Sequence, residues 1–304
     1  MDMFRRESTV SKVRASYEWK GMLFILPVLA VLAFLDFYPL GISIFLSLTN
    51  RSIAHLFVYQ IVGLRNYAAI IGSGELFRIL EQTAVWSAGS IVLMAGFGFL
   101  LALLMNQPGI RGNRIYRTAY LVPWAYPAFI TILVWRGLLD YQLGFVNKFL
   151  ALFGISKIFW LGLPSMAMFS MMFVNLWLSF PYYTYVYTAS LQSVPKELYD
   201  AAKVDGYGTF GVLGNVTLPL LKRQIAFITV FGFVFTWNNF YIPYLLTNGG
   251  PGTSTYILVS YTYYEQTALL QYGIASAYAI VSVLFLLVFV ILINRYTKMM
   301  SVLY

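Results

Sequence analysis

A chain of 304 residues that is 60% hydrophobic and 10% charged, with mean hydropathy +0.73, is more apolar than a water-soluble globular domain. It contains no cysteine, which excludes disulfides and thiolate chemistry. Its formal charge of +9 is spread over several segments rather than gathered on one face, and gives no support to nucleic-acid binding.

In chain order, the first 20 residues carry Arg5, Arg6, Lys12, Arg14 and Lys20. The apolar run after them is too long and too Pro-interrupted for a cleaved signal peptide and is read as retained. Apolar runs at 22–48, 80–105, 116–138, 166–190, 224–246 and 272–294 approach or pass the roughly 20 residues that a helix needs to cross a bilayer. They predict an all-α, polytopic membrane bundle of six transmembrane helices, since a barrel would show short alternating segments instead. With the N-terminus inside, the inner segments hold fourteen cations: the five above, Arg111, Arg114, Arg117, Lys196, Lys203, Lys222, Arg223, Arg295 and Lys298. The outer segments hold six: Arg51, Arg65, Arg78, Arg136, Lys148 and Lys157. That bias places both termini in the cytoplasm of a multi-pass cytoplasmic-membrane protein.

The chain lacks the His, Cys, Asp or Glu clusters that catalysis or metal binding needs, and neither GxxxxGK[ST] nor HExxH occurs. No cofactor or metal site is expected in it. The single histidine, His55, reads as a solvated residue of the first outer loop. Asp36 lies inside the first apolar run, in "FLDFYPLG", where a charge is costly and marks a functional candidate. The alternative is that Pro39 breaks the run and leaves Asp36 hydrated near the outer half.

Pro27, Pro39, Pro123, Pro127, Pro181 and Pro243 should break or kink helices and free carbonyls to line a cavity. Polar groups accompany them in "VPWAYPAF", "VNLWLSFPYYTY" and "FTWNNFYIP". Asn175, Ser179 and Tyr183 fall on one helical face, as do Gly232, Thr236 and Phe240. Such stripes either join helices or face a wet cavity. Mixed aromatic faces and neutral donors suit a sugar, with its apolar ring face and rim of hydroxyls.

"ELYDAAKVDGYGTFG", 197–211, ends in a formal GxGxxG. A dinucleotide loop needs a strand before the glycines and a helix N-terminus after them. The residues before Gly206 have helical spacing instead, so the motif is read as fortuitous. Pro195 can open a helix, Gly206 can end it, and a second short helix is expected to run to Pro219. Ala201 and Ala202 would give this cytoplasmic element a flat patch, with Glu197, Asp200 and Asp205 as carboxylates for a basic partner.

"ELYDAAKVDGYGTFGVLGNVTLPLL" closely resembles the EAA loop of binding-protein-dependent ABC transporter permeases of the sugar-importing type. Glu197, Ala201, Ala202, Asp205, Gly206, Leu218 and Pro219 match its pattern, with Asp200 where Glu is common. The resemblance extends from "GLRNY" through "RTAYLVPWAYPAF", "VNLWLSFPYY" and "LLTNGGPGTST" to the sixth run, and within the family is nearest the MalF-type subunit of maltose and maltodextrin importers. It implies a compact six-helix version without the additional N-terminal helices and external insertion of the enterobacterial form. The segments become a cytoplasmic 1–21, a first helix and external loop 22–79, a five-helix core 80–295 containing the coupling loop 191–223, and a tail 296–304.

By the same resemblance the chain is no enzyme but a transport subunit. Its partners would be a second, homologous permease, a cytoplasmic ABC ATPase dimer carrying ATP and Mg, an extracytoplasmic sugar-binding protein and a sugar. ATPase coupling falls to Glu197, Asp200, Ala201, Ala202, Asp205 and Gly206. Sugar contact falls to Trp124 and Ala128, then Asn175, Leu178, Ser179, Tyr182 and Tyr183, then Gly232, Thr236 and Asn239. "TNGGPGTSTY", 247–256, is a candidate binding-protein surface. An ion-coupled carrier or channel using Asp36 is the alternative. A strongly anionic cargo would meet no Lys or Arg among these residues, with Arg136 near the end of its helix.

Overall fold

The computed structural model describes residues 23–107 and 113–297. The cationic segment 1–21, Arg111 and Lys298, with most of the 296–304 tail, lie outside the described residues. The described part is built of helices: α1 (Leu23–Ser47) and α2 (Arg65–Gly72), then α3 (Glu75–Met105), α4 (Asn113–Ala119) and α5 (Ala128–Leu138). α6 (Phe145–Ala151), α7 (Pro164–Gln192), α8 (Lys196–Val204), α9 (Thr209–Trp237), α10 (Leu258–Thr267) and α11 (Tyr272–Thr297) complete the chain.

Four of these, α1, α3, α9 and α11, are both long and apolar enough to cross a membrane. α7 is 29 residues long but carries Asn175, Ser179, Pro181 and a series of tyrosines. The expected third span, 116–138, is not one helix. It divides into α4, a 3-10 turn at Val122–Trp124 and α5. The cause is Pro123 and Pro127, which lack N–H donors and turn the preceding residues from helical geometry.

At Pro39 and Pro219 the helix continues through proline. Pro39 does not interrupt α1, contrary to the break considered above, because a π-turn at Ala33–Phe37 widens the helix just before it. The same device, Leu213–Thr217, precedes Pro219. The second short helix expected to stop at Pro219 therefore continues into the membrane run as α9, which begins at Thr209 and ends at Trp237 rather than spanning 224–246. Pro243 opens a separate π-turn, Pro243–Thr247.

The most extensive interface joins α3 to α7. A Cβ on Gly89 would meet the Met172 thioether, and one on Gly98 would lie 2.4 Å from Tyr183 Cβ. Both pairs ascend in number, so the two helices run parallel and in contact at positions where a glycine lets them approach. α9 packs on α3, while α11 packs on α1 and α10. The Trp86 indole on α3 donates to the Thr236 carbonyl at 3.0 Å, and Trp237 donates to Ser282 Oγ at 2.9 Å. These bonds hold the end of α9 between α3 and α11, beside the site.

Candidate functional site

The parallel α3–α7 pair, the end of α9 and the 3-10 turn between α4 and α5 surround a cavity of about 310 Å3. That lies within the range of small-molecule sites. α7 contributes Asn175, Leu178, Ser179, Tyr182 and Tyr183; α9 and the residues after it contribute Phe231, Gly232, Phe235, Thr236 and Asn239. Trp124 closes one wall and Met94 another. Nine of the ten residues expected at a sugar site thus meet at one cavity. Ala128 does not line it, and instead begins α5 after Pro127.

Local chemistry explains the geometry. Pro181 lies inside α7 and has no N–H to return to the Trp177 carbonyl, which loosens the helix there. One residue on, the Leu178 carbonyl accepts the Trp124 indole N–H at 3.0 Å, which docks the 3-10 turn onto α7. Ser179 Oγ reaches Asn175 Oδ1 at 3.4 Å, so the expected stripe faces inward. Gly232 and Thr236 also face the cavity, whereas Phe240 packs on Tyr244 and Tyr263.

Asn175 and Tyr183 are each 3% exposed, yet Asn175 Nδ2 and the Tyr183 hydroxyl have no hydrogen-bond partner within the protein. A buried polar atom without a partner costs about 1–3 kcal/mol, and both residues border the cavity. The arrangement can therefore bind a molecule that supplies hydrogen-bonding groups. The lining combines those groups with Trp124, Tyr182, Phe231 and Phe235 and contains no charged side chain. Arg136 is not part of it, since its guanidinium donates to the Leu245 carbonyl at 3.2 Å. Among the described residues no His, Cys, Asp or Glu cluster could hold a metal.

Met94, Phe231 and Phe235 were missed in the sequence. The pair 231 and 235 lies one residue from 232 and 236 on the same helix, and widening that stripe to its aromatic edge would have found it. Nothing local marks Met94, which α3 brings from far along the chain.

The coupling candidates lie on and just after α8. Pro195 caps it, Asp205 ends it and Gly206 turns the chain at φ +83°. The Tyr207 N–H then donates to the Ala202 carbonyl and the Gly206 N–H to that of Lys203, both at 3.0 Å, closing the helix end. Glu197, Asp200, Ala201, Asp205 and Gly206 are exposed, and Asp200 pairs with Lys203 at 3.1 Å. Ala202 is buried, so the flat patch expected of the two alanines reduces to Ala201. Val204 and Phe210, each 88% exposed, were not singled out in the sequence. They add an apolar component to this face. A helix, not a strand, precedes the GxGxxG; the expected second helix begins after Gly208, and without a strand before the glycines the frame of a dinucleotide site is absent.

At the other end of α9 the 247–256 loop is tightly built. Asn248 and Gly249 adopt left-handed geometry, and a Cβ on Gly249 would strike the Tyr256 ring. Thr255 Oγ1 donates to the Gly250 carbonyl at 2.7 Å, while Arg78 donates to Thr253 Oγ1 at 2.6 Å and also pairs with Glu75.

Residues 94–301 match the family described as binding-protein-dependent transport system inner membrane component. The chain belongs to that family. This inner membrane component is 34% identical over 286 residues to the galactooligosaccharides transport system permease protein GanP of Bacillus subtilis, covering 90% of this chain and 68% of that one. It is 32% identical over 283 residues to the trehalose/maltose transport system permease protein MalF of Thermococcus litoralis, covering 92% and 94%. A bacterial alginate ABC transporter, solved with an alginate pentasaccharide-bound periplasmic protein, contains a chain of the same fold with TM-score 0.80 and 22% identity, covering 95% and 97%. The inner membrane component is thus a multi-pass membrane transport subunit rather than an enzyme.

Proposed function

We propose that this chain is the sugar-contacting permease subunit of an ATP-driven importer, and that its cavity takes maltose, a maltodextrin or a related neutral di- or oligosaccharide such as trehalose. The observation that carries this reading is the cavity, where aromatic rings, two unpartnered buried polar groups and no charge converge from three elements. Ring faces stack on aromatics and hydroxyls bond to amides and phenols, which a neutral sugar satisfies together. The uncharged lining argues against a polyanionic cargo such as the alginate carried by the protein of similar fold. GanP is a galactooligosaccharide permease and the Thermococcus protein a trehalose/maltose permease, in keeping with it.

In this reading both termini are cytoplasmic, and six spans divide the chain into the segments 1–21, 22–79, 80–295 and 296–304. A homologous permease completes the pathway. An ATPase dimer, holding ATP and Mg, docks on the exposed face of Glu197, Asp200, Ala201, Asp205 and Gly206, with Ala202 supporting it from the buried side. A sugar-binding protein meets the 247–256 loop. ATP-driven closure of the ATPases moves α8, and rigid helices switch the cavity between the two sides.

Uptake of labelled maltose, maltotriose and trehalose by cells expressing the complete system, with Asn175→Ala and Tyr183→Ala beside wild type, tests the site. Each variant should lower uptake by about tenfold, the size of one or two lost hydrogen bonds, while subunit assembly persists. Unchanged uptake of all three sugars in both variants would place the site elsewhere. Among the described residues no feature favours the ion-coupled carrier, since Asp36 is exposed on α1 and does not line the cavity. Transport that persists without ATP would revive it.

A further inference from the structure

Between the membrane elements α5 and α7, the short helix α6 has one face fixed to the protein and one bare. Asn147 fixes it. This side chain is 1% exposed, and its amide donates to the carbonyls of Tyr141 and Ile158 at 3.1 and 3.0 Å. Its oxygen accepts the Ile158 N–H at 3.1 Å and the Trp160 indole N–H at 3.0 Å. Four bonds to three residues leave α6 no freedom to rotate about its axis, and Val146 on the same side packs into the core.

The opposite face is a ladder of phenylalanines. Phe145 and Phe149 stack with centroids 6.1 Å apart, and Phe149 meets Phe153 edge-on at 5.3 Å. Phe145 is 62%, Phe153 68% and the neighbouring Leu152 80% exposed. Exposed apolar positions continue along the chain at Leu163 and Phe169 into α7. Contiguous apolar surface of this kind marks an interaction surface rather than a solvated one.

We propose that this face is seated in the outer headgroup layer of the bilayer, making α6 an interfacial helix that pins the α5–α7 connection to the membrane surface. α6 contacts α5 and is joined to α7 by a short segment, which holds it at the level where hydrocarbon gives way to headgroups. Its charges suit that place. Lys148 flanks the ladder and pairs with no acid among the described residues, and Lys157 lies over the Tyr141 ring at 5.7 Å. The one acid between 139 and 163, Asp140, turns its carboxylate to the Gln142 and Leu143 N–H groups at 2.9 and 2.7 Å. A cationic flank beside an aromatic face is the pattern of helices that lie in the interface over anionic lipid. The inference is independent of which sugar is carried, and rests on the proposed topology, in which the α5–α7 connection lies on the outer side of the membrane.

The absence of cysteine makes the test direct. Phe149→Cys and, as an aqueous reference, Ser156→Cys are labelled with bimane in the full chain, purified with its accompanying subunits into phosphatidylcholine nanodiscs with or without phosphatidylglycerol. Lipid bearing a doxyl group high on its acyl chain should quench the label at 149 by about half, and soluble iodide should quench the label at 156 instead. Quenching at 149 by iodide without quenching by doxyl lipid would overturn the proposal, because the face would be in water. Protection from both quenchers would overturn it equally, because a protein would cover the face. Phe145→Cys repeats the measurement should the first variant not assemble. Phosphatidylglycerol should increase the doxyl quenching, and Lys148→Glu should abolish that increase; an unaltered increase would remove the charge argument.

Discussion

Gly232 and Tyr183 share one space in the wall of the cavity. A Cβ on Gly232 would lie 1.9 Å from the Tyr183 hydroxyl oxygen and 2.8 Å from Ile91 Cδ1, so the phenol is held where it is because residue 232 has no side chain. Resemblance to maltose permeases suggested a direct sugar contact for this position; the packing gives it a second role, making room for Tyr183. Gly232→Ala should displace Tyr183 and destabilise the bundle by about 1–3 kcal/mol, as overpacking does. Uptake should fall with it, and the added Tyr183→Phe change should restore part of the thermal stability in detergent. Equal melting of wild type and Gly232→Ala would show that the two residues are not coupled. Gly206 is a different case, because open space surrounds it and only its φ of +83° constrains it. Gly206→Ala should cost about 1–2 kcal/mol, read as weaker ATPase co-purification while the membrane bundle keeps its melting temperature.

At the scale of elements, α8 was legible because capping residues, helix formers and a terminal glycine follow one another in sequence. What its pattern did not show is which alanine faces outward, since that depends on what the bundle places behind the helix. The exposed Val204 at the end of α8 and Phe210 at the start of α9 offer apolar anchors, and interface energy concentrates in such groups. Val204→Lys or Phe210→Lys should cost more than about 1 kcal/mol of ATPase binding, measured by co-purification of the ATPase; undiminished recovery in both would exclude these side chains. α10 makes stability depend on pH. Burial pushes the Glu265 carboxyl above the usual carboxylate range, the Tyr261 hydroxyl bond draws it partly back, and the Glu75 charge raises it further. A raised value in the folded state favours the neutral acid, so its stabilising contribution is full below the ordinary carboxylate pKa and is lost as pH rises through the raised one. Melting of the purified wild type should therefore fall across that window, and Glu265→Gln should flatten the profile. Identical profiles would show that Glu265 does not titrate there.

For the whole molecule, the cation bias makes a prediction about sidedness. In cells permeabilised only at the outer face, an impermeant maleimide should label Ser156→Cys and not Lys203→Cys; the reverse pattern would invert the topology. The all-helical membrane bundle was legible in the hydropathy of long runs, and four of those runs appear as long apolar helices. The third did not, because Pro123 and Pro127 outweigh the apolar content of 116–138. Pro39 and Pro219 carried the same warning, and there the chain accommodates proline with a π-turn instead. Local sequence identifies the strain at a proline, but not whether the helix breaks there or widens by a π-turn.

By itself the sequence determined the membrane as solvent and the helical character of the long runs through local hydropathy, and its resemblance to sugar permeases pointed to nine of the residues that line the cavity. Tertiary structure decided where those residues meet. Only the parallel meeting of α3 and α7, with the end of α9 laid against them, turns separate polar stripes into one cavity and leaves Asn175 and Tyr183 buried without partners. It also excluded Ala128, brought in Met94 and turned Ala202 inward. Burial and unpaired hydrogen-bonding groups are properties of what neighbours a side chain in space, and those neighbours come from distant parts of the chain.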